Sequence, residues 1–173
     1  MKSAKGIATI AIMAATMSGG KLAMSVLPNI EPVTILIAVY ASVFGFAYVL
    51  PASAVFVVLD VLIYGFNTWV LSYLIYWPLV ALVFAIVNHK QKNLWINVFT
   101  AVLLTLFSGV LTSLVDVGLF MGAFDNFWQR FGVMYARGIP FFVTHVVSNF
   151  AIFLLCYNPL CKALTKTKKQ FLD

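Results

Sequence analysis

Charge is what this chain lacks. Of its 173 residues only 5 are acidic and 11 basic, so 9% are charged while 63% are hydrophobic. Soluble domains carry about 25% charged residues, and with a mean hydropathy of +1.02 a water-soluble fold is excluded. Cysteine is scarce too: Cys156 and Cys161 have the spacing of neither a redox pair nor a zinc knuckle, and read as reduced and structural. There is no His-Glu-x-x-His, no Gly-x-Ser-x-Gly and no cluster of metal ligands. Gly19-Gly20-Lys21 is not a phosphate loop, because Ala15 stands where its first glycine belongs and Leu22 follows the lysine. No internal repeat of the kind that builds secondary transporters is present either. These absences point away from an enzyme, a resident cofactor or metal, and ATP hydrolysis by this chain. The net charge of +6 does not indicate nucleic acid, since the basic residues cluster between apolar runs, where membrane topology is set.

What is present is a series of apolar runs of membrane-spanning length. The pattern predicts helices over about 3–26, 32–48, 52–66, 69–87, 94–120 and 130–164, with Pro51 marking the turn before the third. The first twenty residues mimic a signal peptide, but the run continues through Leu22 to Val26, which suits a retained helix. The fold class expected is an all-α integral membrane protein, one domain over 1–173 with six transmembrane helices. Six spans put both termini on one side. Lys2, Lys5, Lys90, Lys92, Lys162, Lys166, Lys168 and Lys169 fall there, eight of the eleven basic residues, so the termini are expected to be cytoplasmic. Lys21, Arg130, Arg137, Glu31, Asp60, Asp116 and Asp125 fall toward the other face.

Candidate functional residues concentrate on that outer side. Leu27-Pro28-Asn29-Ile30-Glu31-Pro32-Val33-Thr34 is the densest group of backbone breakers and polar side chains, and its two prolines preclude a regular helix through it. Tyr64, Asn67, Trp69 and Tyr73 surround the second outer loop; Asp116, Trp128, Tyr135, Arg137 and His145 surround the third. Aromatics with a few polar groups are what small-molecule pockets are lined with. Trp69, Tyr73 and Tyr76 recur at helical spacing, as do Arg137, Phe141 and His145. Each also has a plainer reading. Trp69 and Trp128 suit the interfacial belt, Asp60 and Arg137 could pair with opposite charges, His145 could be an interior hydrogen-bonding residue, and Glu31 could simply start a helix. On the first helix Ala4, Ala8, Ala11, Ala15 and Gly19 form a stripe of small residues, which serves close helix packing within the chain or docking of another subunit.

Three of these stretches carry a family resemblance: Ile10-Ala11-Ile12-Met13-Ala14-Ala15, then Pro28-Asn29-Ile30-Glu31-Pro32-Val33-Thr34 leading into Tyr40 to Gly45, then Tyr64-Gly65-Phe66-Asn67-Thr68-Trp69. Together with six spans and both ends inside, they resemble the substrate-binding S-components of energy-coupling factor vitamin transporters, in the plasma membrane of prokaryotes. The resemblance implies that Ala4, Ala8, Ala11 and Ala15 dock on a transmembrane coupling subunit, joined to two cytoplasmic ATPase subunits that hydrolyse the ATP. It implies an outward pocket gated by the first loop, where Asn29 and Glu31 gate or contact the solute, Trp69, Tyr73, Trp128 and Tyr135 stack on it, and Arg137, Asp116 and His145 orient it, with Tyr64 and Asn67 beside them. The Pro-Asn-x-Glu-Pro-Val-Thr pattern looks most like a cobalamin-type member. Pantothenate, a pyridoxal-type vitamin, a folate or a queuosine precursor would suit the same surface. For a corrinoid, His145 is on the side where it could ligate the metal and His89 is not. The rivals are a membrane enzyme using Asp60, Asp116 and His145 as acid–base groups, and a structural subunit with no ligand.

Overall fold

The computed structural model describes residues 4–27, 30–89, 93–120 and 126–171. Among these residues the chain forms six α-helices and no strand: α1 (Ala4–Ala23), α2 (Val33–Phe44), α3 (Phe46–Tyr64), α4 (Thr68–Val87), α5 (Leu94–Phe120) and α6 (Phe127–Phe171). All but α2 are long and apolar enough to cross a membrane. Their outward faces stay apolar, with Leu62, Ile86, Phe99 and Leu155 among many large exposed side chains, as lipid-facing surfaces require. The chain is therefore an all-helical, multi-pass membrane protein.

The contacts place α2 at the centre. The longer helices pack in the order α1, α3, α4, α5, α6, and α2 touches α1, α3, α4 and α6 from inside that arc. Nine of the 12 residues of α2 are buried, because a helix apolar all round has no face to offer to water. Side chains from three helices close the core around it. Phe84 of α4 stacks on Phe153 of α6 at 5.6 Å, Phe153 stacks on Tyr157 at 5.8 Å, and the Tyr157 hydroxyl shares a 2.8 Å hydrogen bond with Ser42 of α2. At the far end of α2, the Lys168 ammonium donates to the Val43 carbonyl at 2.9 Å, satisfying one of the acceptors a helix C-terminus leaves open. Buried Asn88 and Asn97 exchange amide hydrogen bonds of 2.7 and 3.0 Å between α4 and α5.

Several helix boundaries differ from the sequence expectation. The break between the second and third helices falls at Gly45, not Pro51. Gly45 has φ 88°, a conformation that carries no Cβ penalty only in glycine, and its N–H still closes α2 on the Ala41 carbonyl at 3.0 Å. Pro51 lies inside α3, where it forfeits one backbone bond without stopping the helix, as membrane helices tolerate. Gly65, with φ 81°, ends α3 in the same way. The sixth helix is longer than expected, 45 residues with Pro140 and Pro159 inside it. Its buried residues are Asn149, Phe153, Tyr157 and Cys161, four apart, so one narrow stripe seats it on the bundle.

Candidate functional site

The polar groups that the bundle cannot send to water gather beside the N-terminal end of α2. The α1–α2 connection, the last turn of α1, the first half of α4 and the middle of α5 and α6 line a cavity of about 400 Å³ there. On α4, Trp69, Tyr73 and Trp77 fall four residues apart and so share one face. Their rings lie 5.1 and 5.0 Å apart in sequence, with Tyr76 4.7 Å from Trp77. This aromatic wall meets Ser108, Gly109 and Thr112 of α5 and Phe142 and His145 of α6.

Lys21, in the last turn of α1, reaches into the wall. Its ammonium lies 4.8 Å from the Tyr73 ring centre, 5.0 Å from Trp69 and 5.1 Å from Tyr64, within the range of a cation–π attraction. It donates at 2.5 Å to Oδ2 of Asp60, a residue of α3 that is 1% exposed. An acid at that depth is costly unless paired, so the pair and the aromatic box explain how both charges are held. Asp60 Oδ1 has no hydrogen-bond partner among the described residues, nor have Ser72 Oγ, Trp77 Nε1 and His145 Nε2 on the cavity wall. The Tyr76 hydroxyl sits among those of Thr34, Thr105 and Ser108.

Glu31 approaches from the connection, before α2 begins. Its side chain is 16% exposed and its Oε1 lies 3.7 Å from His145 Nε2, too far for a hydrogen bond. Burial pushes its carboxyl up to about 7; the Lys21 ammonium opposes that rise and the Asp60 charge adds to it. Glu31 is thus held with no strong counter-charge of its own.

The structure brings together Glu31, Tyr64, Trp69, Tyr73, Tyr76 and His145 of the residues singled out in the sequence. Others lie elsewhere. Asn67 is the N-cap of α4 and accepts from the Thr68 N–H at 2.6 Å. Trp128 is 74% exposed near the start of α6. Tyr135 stacks on Phe131 at 5.8 Å and touches the cavity only through Phe142, 5.3 Å from it. Arg137 lines a separate shallow groove with Gln129, Val133 and Met134. Asp116 is off the cavity wall, so Asp60, Asp116 and His145 are not gathered into one acid–base set. Asn29 lies outside the described residues. Ala4, Ala8, Ala11 and Ala15 are all exposed on α1, opposite buried Met13 and Met17, so packing within the described chain does not use that stripe. Sequence reasoning missed the part Lys21 plays. The signal was available: one lysine and one deep carboxylate in neighbouring apolar runs are natural partners. Trp77 continues the four-residue spacing of Trp69 and Tyr73 and was legible in the same way; Ser72 carried no such signal, because only helix rotation turns it inward.

Fold and site together define a helical multi-pass membrane protein with a half-open aromatic and charged cavity at one end. Comparison with protein-family models, with curated proteins and with solved structures finds no match.

Proposed function

We propose that this chain is the solute-binding membrane subunit of an ATP-driven micronutrient importer of the energy-coupling factor kind. It captures a vitamin-like solute in the cavity beside Glu31 and hands it inward after docking on a transmembrane coupling subunit served by two ATPases. The observation that carries this reading is the cavity itself, roofed by the α1–α2 connection and walled by Tyr64, Trp69 and Tyr73. Charge distribution supports an outward orientation. Lys162 to Lys169 begin about 25 Å further along α6 than His145, and Lys5 lies at the opposite end of α1 from Lys21. That asymmetry supports cytoplasmic termini, with α2 crossing only part of the membrane beside five full-length spans; the prokaryotic plasma membrane belongs to the importer reading. The exposed stripe Ala4, Ala8, Ala11 and Ala15 supplies a face on which another helix can pack closely.

Size narrows the solute. A cavity of about 400 Å³ suits a pyridoxal-type vitamin, a queuosine precursor or a molecule of similar bulk. A corrinoid, the solute suggested by the loop pattern, is larger and would extend beyond the open side of the cavity. The test is native mass spectrometry of the purified protein from cells fed a vitamin mixture. A co-purifying small vitamin is expected. An empty protein whose tryptophan fluorescence responds to no vitamin overturns the reading and leaves a structural subunit.

A further inference from the structure

We infer that the cavity selects a flat, aromatic solute carrying a positive charge, and that Glu31 is the group that reads the charge. This rests on the proposal that the cavity is the solute site.

The argument begins with a charge count. Groups that titrate or carry charge face the cavity from five elements: Lys21 on α1, Glu31 on the connection, Tyr64 on α3, Tyr73 and Tyr76 on α4, and His145 on α6, with Asp60 of α3 behind Lys21 as its partner. From α5 the polar side chains that face it are Ser108 and Thr112. Lys21 is the one full cation of this set, and it is already committed to Asp60 at 2.5 Å. What remains is Glu31, whose Oε1 lies 3.7 Å from the His145 ring nitrogen and which the Lys21 ammonium reaches only through space. An entering cation meets a carboxylate without a matched counter-charge, in surroundings where pairing offsets the cost of desolvating both. An entering anion meets that carboxylate as a repulsive neighbour, with the only ammonium already engaged.

The wall bears on the rest of the solute. The faces of Tyr64, Trp69 and Tyr73 nearest Lys21 already hold its ammonium, so a solute ring stacks on the remaining wall beside Tyr76 and Trp77, with its cationic end away from Lys21 and toward Glu31. Trp77 Nε1 and Ser72 Oγ, on residues only 1% and 2% exposed, have no hydrogen-bond partner among the described residues. An indole N–H can only donate, so a ring nitrogen or carbonyl on the solute is the complement it lacks. A nitrogen heteroaromatic with a protonated amine or a quaternary centre satisfies all three features at once.

The test uses the purified full-length chain and three probes of similar ring size: benzyltrimethylammonium, benzyl alcohol and benzoate. Binding is read by tryptophan fluorescence at millimolar probe, at a pH about one unit or more above 7 so that Glu31 is ionised. The cation should bind at least about tenfold more tightly than the neutral ring, a difference of about 1.4 kcal/mol, and benzoate more weakly than either. Glu31→Gln should erase the preference while Glu31→Asp retains it, both with the circular dichroism of the parent. Failure of the cation to bind, benzoate binding as tightly, or a preference that survives Glu31→Gln each overturns the inference. The two proposals fail separately. A Glu31-dependent cation preference in a chain that supports no uptake sinks the importer reading alone. Uptake of an anionic vitamin through this chain sinks the charge selection alone.

Discussion

Replacing Lys21 with methionine keeps most of the length of the side chain and removes the ammonium that bonds Asp60. The carboxylate it leaves is 1% exposed, and its other oxygen has no partner among the described residues. It must then stay charged in the bundle or take a proton. Protonating a carboxyl of ordinary pKa ~3.9 at pH 7 costs about 1.36 kcal/mol per unit, so about 4 kcal/mol caps the loss. Breaking a buried ion pair on one side has a similar typical cost, roughly 3–5 kcal/mol. For a chain of this size that lowers the melting temperature by roughly 8–16 °C, read by tryptophan fluorescence during heating in detergent. The double variant Lys21→Met/Asp60→Asn should recover most of the loss, with a coupling of at least ~2 kcal/mol. If Lys21→Met melts within ~2 °C of the parent, or the double variant shows merely additive losses, the pair is not what holds these helices.

Three further outcomes are expected. Glu31 titrates at about 7 in the fold, above its ordinary 4.5, so it favours the folded state when protonated. Stability from this group is therefore fully present below about pH 4.5 and declines as pH rises through about 7, by roughly 3 kcal/mol in all; Glu31→Gln should flatten the melting-temperature profile in that window. A Cβ on Gly109 would fall 2.9 Å from Cγ of Phe142, so Gly109→Val should cost about 1–3 kcal/mol by overpacking and weaken solute binding as Phe142 is pushed, with Phe142→Ala suppressing both effects. Ala11→Trp and Ala15→Trp sit on an exposed face and should leave the melting temperature and solute binding unchanged while abolishing uptake in cells; uptake that survives both refutes the docking face.

The helices were readable because a membrane helix needs only an apolar run and a stop. The fifth, expected over 94–120, is found as Leu94–Phe120. The break after the second was misplaced because proline looks like the stronger stop. In a bundle without competing water, though, it is the positive φ of Gly45 that reverses the chain. In the site, Trp69 and Tyr73 were legible from their four-residue spacing and Glu31 from its flanking prolines. Arg137 and Asp116 were not, because being polar on a helix does not say which way that helix is turned or how far along it a cavity reaches. The rotation of α6 is set by its stripe of Asn149, Phe153, Tyr157 and Cys161, which aims His145 inward; Arg137, eight residues earlier on the same row, lies about 12 Å further along the helix and lines another groove.

The shortness of α2 has a volumetric consequence. At ~1.5 Å per residue, its 12 residues reach about 18 Å, while the 19 residues of α3 reach about 28 Å and every other helix is longer still. The axial pillar is thus about 10 Å shorter than its surrounding wall, and the cavity is the missing length. Its capacity is set by where the pillar begins, at Val33, more than by the size of any lining side chain. Adding or removing a turn there would resize the chamber while leaving the outer helices, and the faces they show to lipid, untouched.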